Sequence, residues 1–147
     1  MFDFHVTDRP LQILLAEDNP GDIWWTKHIL NECGIHYHLS VVENGEDVLN
    51  FLNRTGRFSS SPQPDLLLLD LNLPRITGHE LLARIDPSVS ICIVTGSVME
   101  RQKVITLFKF DARCYLIKPL ECRDFIKATC VFEHLRPWLP SAHDPLD

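Results

Sequence analysis

Apolar and polar positions fall in blocks along this chain. Leu11 to Ala16 is a compact apolar run that stops on Glu17-Asp18-Asn19-Pro20-Gly21, which predicts a first strand entering an acidic loop. Helical spacing then links Ile23, Lys27 and Leu30, with Asp18 or Asn19 able to cap the start and Gly34 placed to end the helix. His38 to Val42 predicts a second strand, and Val48, Leu49 and Leu52 give Glu46 to Asn53 one apolar helical face. A loop rich in serine and proline, Arg54 to Pro64, leads to Leu66-Leu67-Leu68-Leu69-Asp70, the pattern of a strand buried on both faces that emerges on an acid. Gly78 to Ile85 predicts a short helix, Ile91 to Val94 a fourth strand ending on Thr95-Gly96-Ser97, and Met99 to Phe110 a fourth helix. Cys114 to Ile117 predicts a fifth strand ending on Lys118-Pro119, and Glu121 to about Leu135 a last helix, with Pro137, Pro140 and Pro145 making the remainder a tail. Five strands alternating with five helices predict an α/β fold, a doubly wound parallel sheet joined by right-handed crossovers.

The 147 residues suit a single domain, expected over 1–140, with 141–147 as a flexible C-terminal tail. Fourteen basic against 20 acidic residues give a net charge of -6, which disfavours binding to a phosphate backbone and suits a protein that tolerates a cation. No nucleic-acid partner is expected. The cysteines are five, an odd number without a C-x-x-C pair, so the expectation is reduced thiols and neither a disulfide framework nor a zinc site. With no apolar signal core near Met1 and no apolar window long enough to span a bilayer, the expected location is the cytoplasm, away from membranes.

In an open parallel sheet, ligands gather outside the carboxyl ends of the strands. The ends of strands one, three, four and five carry Glu17 and Asp18, Asp70, Thr95 and Lys118. Each has an ordinary structural reading: Asp70 as a turn residue, Glu17 and Asp18 as a helix cap and first-turn acid, Thr95 as a β-branched strand end, Lys118 as a solvated charge. Their conjunction at one crevice points to chemistry. Crowded carboxylates raise one another's pKa unless a cation neutralises them, and hard oxygen ligands suit Mg²⁺, which shares its shell with carboxylates and a phosphate. The Lys118 ammonium would hold an anionic oxygen, Thr95 would hydrogen-bond a phosphoryl oxygen, and Asp70 would accept the phosphoryl group as an acyl phosphate.

The segments Leu14-Leu15-Ala16-Glu17-Asp18-Asn19, Leu69-Asp70-Leu71-Asn72-Leu73-Pro74 with Gly78, Val94-Thr95-Gly96-Ser97 and Lys118-Pro119 resemble the response regulator receiver domain of two-component systems. The similarity covers roughly Leu11 to Leu135. It implies a flavodoxin-like (βα)5 sheet in the order 2-1-3-4-5, with Asp70 as phosphoacceptor. By the same resemblance Glu17, Asp18, Asp70 and the backbone carbonyl of Asn72 hold Mg²⁺, Lys118 and Thr95 stabilise the phosphoryl group, and Thr95 and Tyr115 form the switch pair. More narrowly, Glu17-Asp18-Asn19-Pro20-Gly21-Asp22, the loop Arg54 to Pro64 and Cys114-Tyr115-Leu116 resemble small stand-alone receivers that partner cyanobacterial phytochrome histidine kinases. Thr77, Cys92, Gly96 and Ser97 depart from the common receiver pattern without removing a required functional group.

The implied role is a phosphoacceptor switch and not an enzyme, charged by a sensor histidine kinase of phytochrome type. The rival is a Mg²⁺-dependent phosphohydrolase with an Asp nucleophile, which would want a second Asp where Asn72 stands. With no effector domain expected, the signal would leave through a homodimer built on the fourth helix, strand five and the fifth helix, using aromatic candidates Phe108, Phe110, Tyr115, Phe125, Phe132 and Trp138. Phe108 and Phe125 fit the core better than a surface. Adjacent Trp24 and Trp25 cannot both face the sheet, so one is expected outside.

Overall fold

The computed structural model describes residues 8–96, 102–103, 105–106 and 114–140. Its strands are β1 (Leu11–Ala16), β2 (Tyr37–Val42), β3 (Leu66–Asp70), β4 (Ile91–Thr95) and β5 (Tyr115–Ile117). They form one all-parallel sheet in the order β2-β1-β3-β4-β5. The helices among the described residues with full bounds are α1 (Pro20–Glu32), α2 (Gly45–Asn53), α3 (Gly78–Arg84) and α4 (Cys122–Thr129). Residues 102–103 and 105–106 are also helical, inside the predicted Met99 to Phe110 segment. The remainder of that helix with Phe108 and Phe110, together with Ser97 and the 141–147 tail, lies outside the described residues.

The period of two along each strand sorts the apolar side chains into two cores, one per face. Leu11, Ile13, Leu15, Leu66, Leu68, Cys92, Val94 and Leu116 pack with Leu30 of α1 and Phe125 of α4. Leu14, Ala16, Leu67, Leu69, Ile91, Ile93 and Tyr115 pack on the other face with Val48 of α2 and Leu81 of α3. The four leucines of β3 are fully buried, two to each core, because this strand lies mid-sheet with helices on both sides.

Helix starts follow their caps. Asn19 accepts from the Asp22 amide with Pro20 in the first turn, Asn44 accepts from Asp47, and Thr77 accepts from Glu80. After α1, Gly34 takes a φ of 70°, the left-handed conformation that turns the chain back toward β2.

Four expectations are corrected. The last helix does not run to Leu135: α4 ends at Thr129, and after a turn a 3₁₀ segment spans Glu133–Trp138. The Thr129 hydroxyl donates to the Phe125 carbonyl at 2.7 Å and Arg136 Nε donates to the Cys130 carbonyl at 2.7 Å, so the freed end of the helix is satisfied by side chains. This turn returns Leu135 and Trp138 to the core, so the chain past Pro137 begins as packed structure and not as tail. Trp138 is therefore no surface anchor: its indole donates to the Arg9 carbonyl at 3.0 Å, and the Arg9 guanidinium lies 4.8 Å over its ring. Phe125 is fully buried, as expected of a core residue, Tyr115 is buried and Phe132 partly so, which leaves the aromatic candidates among the described residues mostly inside. Finally, Cys33 and Cys122 are disulfide-bonded with their Cα atoms 5.6 Å apart, against the expectation that all thiols are reduced. Their separation of 89 in the sequence carries no spacing signal, and only the packing of α1 against α4 brings them together. Cys92, Cys114 and Cys130 are not disulfide-bonded.

As the two tryptophans predict, Trp24 is exposed on α1 and stacks on His28, whereas Trp25 turns inward and donates from its indole to the Leu120 carbonyl at 2.8 Å.

Candidate functional site

β1 and β3 are adjacent, with β2 beyond one and β4 beyond the other, so the chain order reverses between them and opens a crevice at their carboxyl ends. Glu17 follows β1 directly, and its amide donates to the Val42 carbonyl at 3.0 Å. Asp70 closes β3. Both side chains are buried while Asp18, one residue further along the loop, is exposed. Each of the three offers a carboxylate oxygen, and these oxygens all lie within 4.8 Å of one another.

From the far side, β5 delivers Lys118. Its amide donates to the Thr95 carbonyl at 2.8 Å, which extends the β4–β5 ladder past Ile117. The Trp25 bond to Leu120 then fixes the following turn against α1. Lys118 Nζ stands 2.8 Å from each of Glu17 Oε1, Asp22 Oδ2 and Asp70 Oδ2. Asp70 Oδ1 accepts from the Asn72 amide at 2.9 Å. The Asp70 carboxylate is thus gripped at both oxygens, one by an ammonium and one by backbone.

Burial and charge oppose each other here. Burial pushes the Glu17 carboxyl above its ordinary pKa; the Lys118 ammonium works downward, and the neighbouring Asp70 adds to the rise. Burial works against the Lys118 charge, but the hydrogen bonds it donates to Asp22, Asp70 and Glu17 outweigh it and hold the ammonium above its usual pKa. A crevice with several carboxylates and one cation retains an excess of negative charge. Its donors are all hard oxygens, the donor set that suits Mg²⁺, Mn²⁺ or Ca²⁺ and not a soft metal. The fit to a divalent cation therefore follows from the donor atoms.

Thr95 is buried at the carboxyl end of β4, and Tyr115 is buried opposite Ile93 at the start of β5. Glu17, Asp18, Asp70 and Lys118 meet as their positions in the sequence predict. Asp22 was not anticipated. Its signal was the third acid of Glu17-Asp18-Asn19-Pro20-Gly21-Asp22, one helical turn beyond Asp18, which local reading absorbs as a first-turn acid favoured by the helix dipole.

The loop after Asp70 is held by close packing. The Gly78 amide donates to the Leu71 carbonyl at 3.1 Å, and the Gly45 amide donates to the Pro74 carbonyl at 3.2 Å. A Cβ on Gly78 would fall 2.6 Å from Leu71 Cα, so backbone passes backbone where only glycine fits.

A crevice of converging carboxylates whose oxygens fit a divalent cation, at the switch point of a flavodoxin-like sheet, is the arrangement expected of a class of phosphoryl-accepting proteins. This chain belongs to the response regulator receiver domain family, whose pattern matches residues 13–129. It is 33% identical over 126 residues to response regulator Rcp1 of Synechocystis sp., covering 82% of this chain and 85% of that protein. The bacteriophytochrome response regulator AtBRR superposes with a TM-score of 0.75 at 29% identity, covering 92% of this chain and 99% of that one. The Mn²⁺-bound form of Rcp1 superposes with a TM-score of 0.67 at 32% identity, over 90% of this chain and 100% of that one. The chain is thus a receiver resembling phytochrome response regulators, a family that pairs with sensor histidine kinases and binds a divalent metal at its acidic pocket. The phosphohydrolase alternative finds no support, and Asn72, where such an enzyme would want a proton-transferring acid, contributes a backbone amide to Asp70. Among the described residues, no helix is long and apolar enough to cross a membrane.

Proposed function

We propose that Asp70 accepts a phosphoryl group from a phytochrome-type sensor histidine kinase in the cytoplasm, in a Mg²⁺-dependent step. The observation that carries this reading is the grip on Asp70: Lys118 at 2.8 Å on one oxygen and the Asn72 amide at 2.9 Å on the other, beside the carboxylates of Glu17 and Asp18. An Asp70 oxygen attacks phosphorus in line with the phosphohistidine nitrogen; the P–N bond breaks, the imidazole leaves with its electron pair, and an acyl phosphate remains. Glu17, Asp18, Asp70 and the Asn72 carbonyl would hold Mg²⁺, which when bound neutralises developing negative charge on the phosphoryl oxygens. Lys118 then holds a phosphoryl oxygen as a point charge. Thr95 closes on the phosphoryl group and Tyr115 repacks, which makes the protein a switch and not a turnover enzyme.

The output we assign to this switch is a homodimer through the predicted Met99 to Phe110 helix, β5 and α4. A groove of about 500 Å³ lined by Tyr115, Leu116, Ile117, Asp124, Lys127 and Ala128 supports it, with Ile117 exposed on the edge strand. The test is phosphotransfer from an autophosphorylated phytochrome kinase with and without Mg²⁺, and sedimentation with and without beryllofluoride. Label is expected on the native chain, Mg²⁺-dependent and lost in Asp70→Asn, with dimer strengthened by beryllofluoride. Undiminished label in Asp70→Asn refutes the acceptor assignment, and a monomer under both conditions at high micromolar concentration refutes the dimer.

A further inference from the structure

Lys118 has three N–H donors and three carboxylate partners, each at 2.8 Å: Glu17 Oε1, Asp22 Oδ2 and Asp70 Oδ2. No donor is left for a fourth acceptor. If Lys118 is to hold a phosphoryl oxygen, as the reading above requires, one of these bonds must be exchanged. The three differ in what exchange would cost. The side chains of Glu17 and Asp70 are 3% and 7% exposed, so an oxygen released there loses its partner without gaining water. Asp22 is 41% exposed, at the first turn of α1, and water replaces the ammonium at its carboxylate directly.

From this we infer that Asp22 is a positioning residue for Lys118, holding the ammonium in competition with the phosphoryl group and giving it up when Asp70 is phosphorylated. In the unphosphorylated chain Asp22 completes the ammonium's shell and keeps Lys118 over the crevice. As the phosphoryl group arrives, Lys118 exchanges its Asp22 bond for a phosphoryl oxygen and keeps Glu17 and the Asp70 oxygen that does not carry phosphorus. Asp22 therefore lowers affinity for phosphodonor and phosphoryl mimic alike, through Lys118. Its backbone geometry is fixed independently of the carboxylate: the Asp22 amide donates to Asn19 Oδ1 at 3.0 Å and its carbonyl accepts from Thr26 Oγ1 at 2.8 Å. Replacing the side chain leaves the cap of α1 in place.

The test is titration of the full chain with beryllofluoride at saturating Mg²⁺, read by calorimetry and by the indole fluorescence of Trp25. Phosphorylation rate against acetyl phosphate concentration is measured in parallel. Asp22→Asn is expected to bind beryllofluoride about five-fold more tightly, the scale of one partly exposed ion pair, and to lower the KM for acetyl phosphate by a similar factor with the maximal rate little changed. Asp22→Glu should return both values to those of the native chain, and in a Lys118→Gln background Asp22→Asn should give no such gain. Unchanged or weaker binding in Asp22→Asn overturns the inference, as does a gain of equal size in the absence of Lys118. If the native chain fails to bind beryllofluoride at all, the receiver reading itself falls; if it binds and Asp22→Asn changes nothing, only the role of Asp22 falls.

Discussion

Gly78→Ala isolates the packing that holds the loop after Asp70. A Cβ at this position would lie 2.5 Å from Leu71 Cδ2, 2.6 Å from Leu71 Cα and 2.9 Å from the Leu71 carbonyl oxygen. The side-chain atom could rotate away, but the other two are backbone, one residue from Asp70, and cannot yield without moving the acceptor. Overpacking of this kind costs about 1–3 kcal/mol, and contact with backbone places the cost at the upper end. Alanine's helix propensity and the lower entropy of its unfolded chain return up to about 1 kcal/mol, so the net loss is about 2 kcal/mol. With a urea slope of about 2 kcal/mol/M, the unfolding midpoint should fall by about 1 M. Gly96→Ala is the control, since a Cβ there meets nothing within 4 Å and should leave the midpoint unchanged or slightly raised. Because Leu71 joins Asp70 to Asn72, the substitution should also slow phosphorylation by acetyl phosphate under conditions where the variant is fully folded. A Gly78→Ala protein that unfolds at the native midpoint and phosphorylates at the native rate would refute the close-packing argument.

Two further outcomes follow from contacts at the opposite end of the strands and between helices. Burial works to raise the Asp65 carboxyl's pKa, but hydrogen bonds from Arg9 and the Gln12 amide, with the Arg9 charge, outweigh it and leave the group below its ordinary value. A depressed acid stabilises the fold fully above its unfolded pKa, about 3.9, and loses that contribution as pH falls through the lower folded value. Arg9→Ala should therefore cost about 1–2 kcal/mol at pH 7, from a half-exposed ion pair and the contact over Trp138, and should lose less on acidification below pH 4 than the native chain. Parallel urea midpoints from pH 7 to pH 3 would count against it. For the disulfide, thiol titration in denaturant should find Cys92, Cys114 and Cys130 before reduction and all five cysteines after it. Closing an 89-residue separation limits the unfolded chain, so reduction should lower stability by up to about 4–5 kcal/mol, and five reactive thiols in the unreduced protein would disprove the bond.

The strands and the core of the site were legible before any coordinates because both are written locally. Four leucines ahead of Asp70 can be buried on both faces only in a central parallel strand, and an acid after such a strand must emerge at its carboxyl end. The same holds for Glu17 after Ala16, Thr95 after Val94 and Lys118 after Ile117, and one topology gathers all four. What tertiary structure alone decided is each pairing that spans helices or crossovers. Asp22 reads locally as a first-turn acid, and only the docking of α1 beside the β5–α4 turn sets it against an ammonium 96 positions away. Cys33 and Cys122 each read as a lone thiol until α1 meets α4. Trp138 reads as part of a proline-rich tail, yet its indole area is worth more buried against Arg9 and the sheet than left in water, and the turn after Thr129 exists to carry it there. Periodicity records which face of an element is buried; what that face meets is set by where the crossovers place its neighbours.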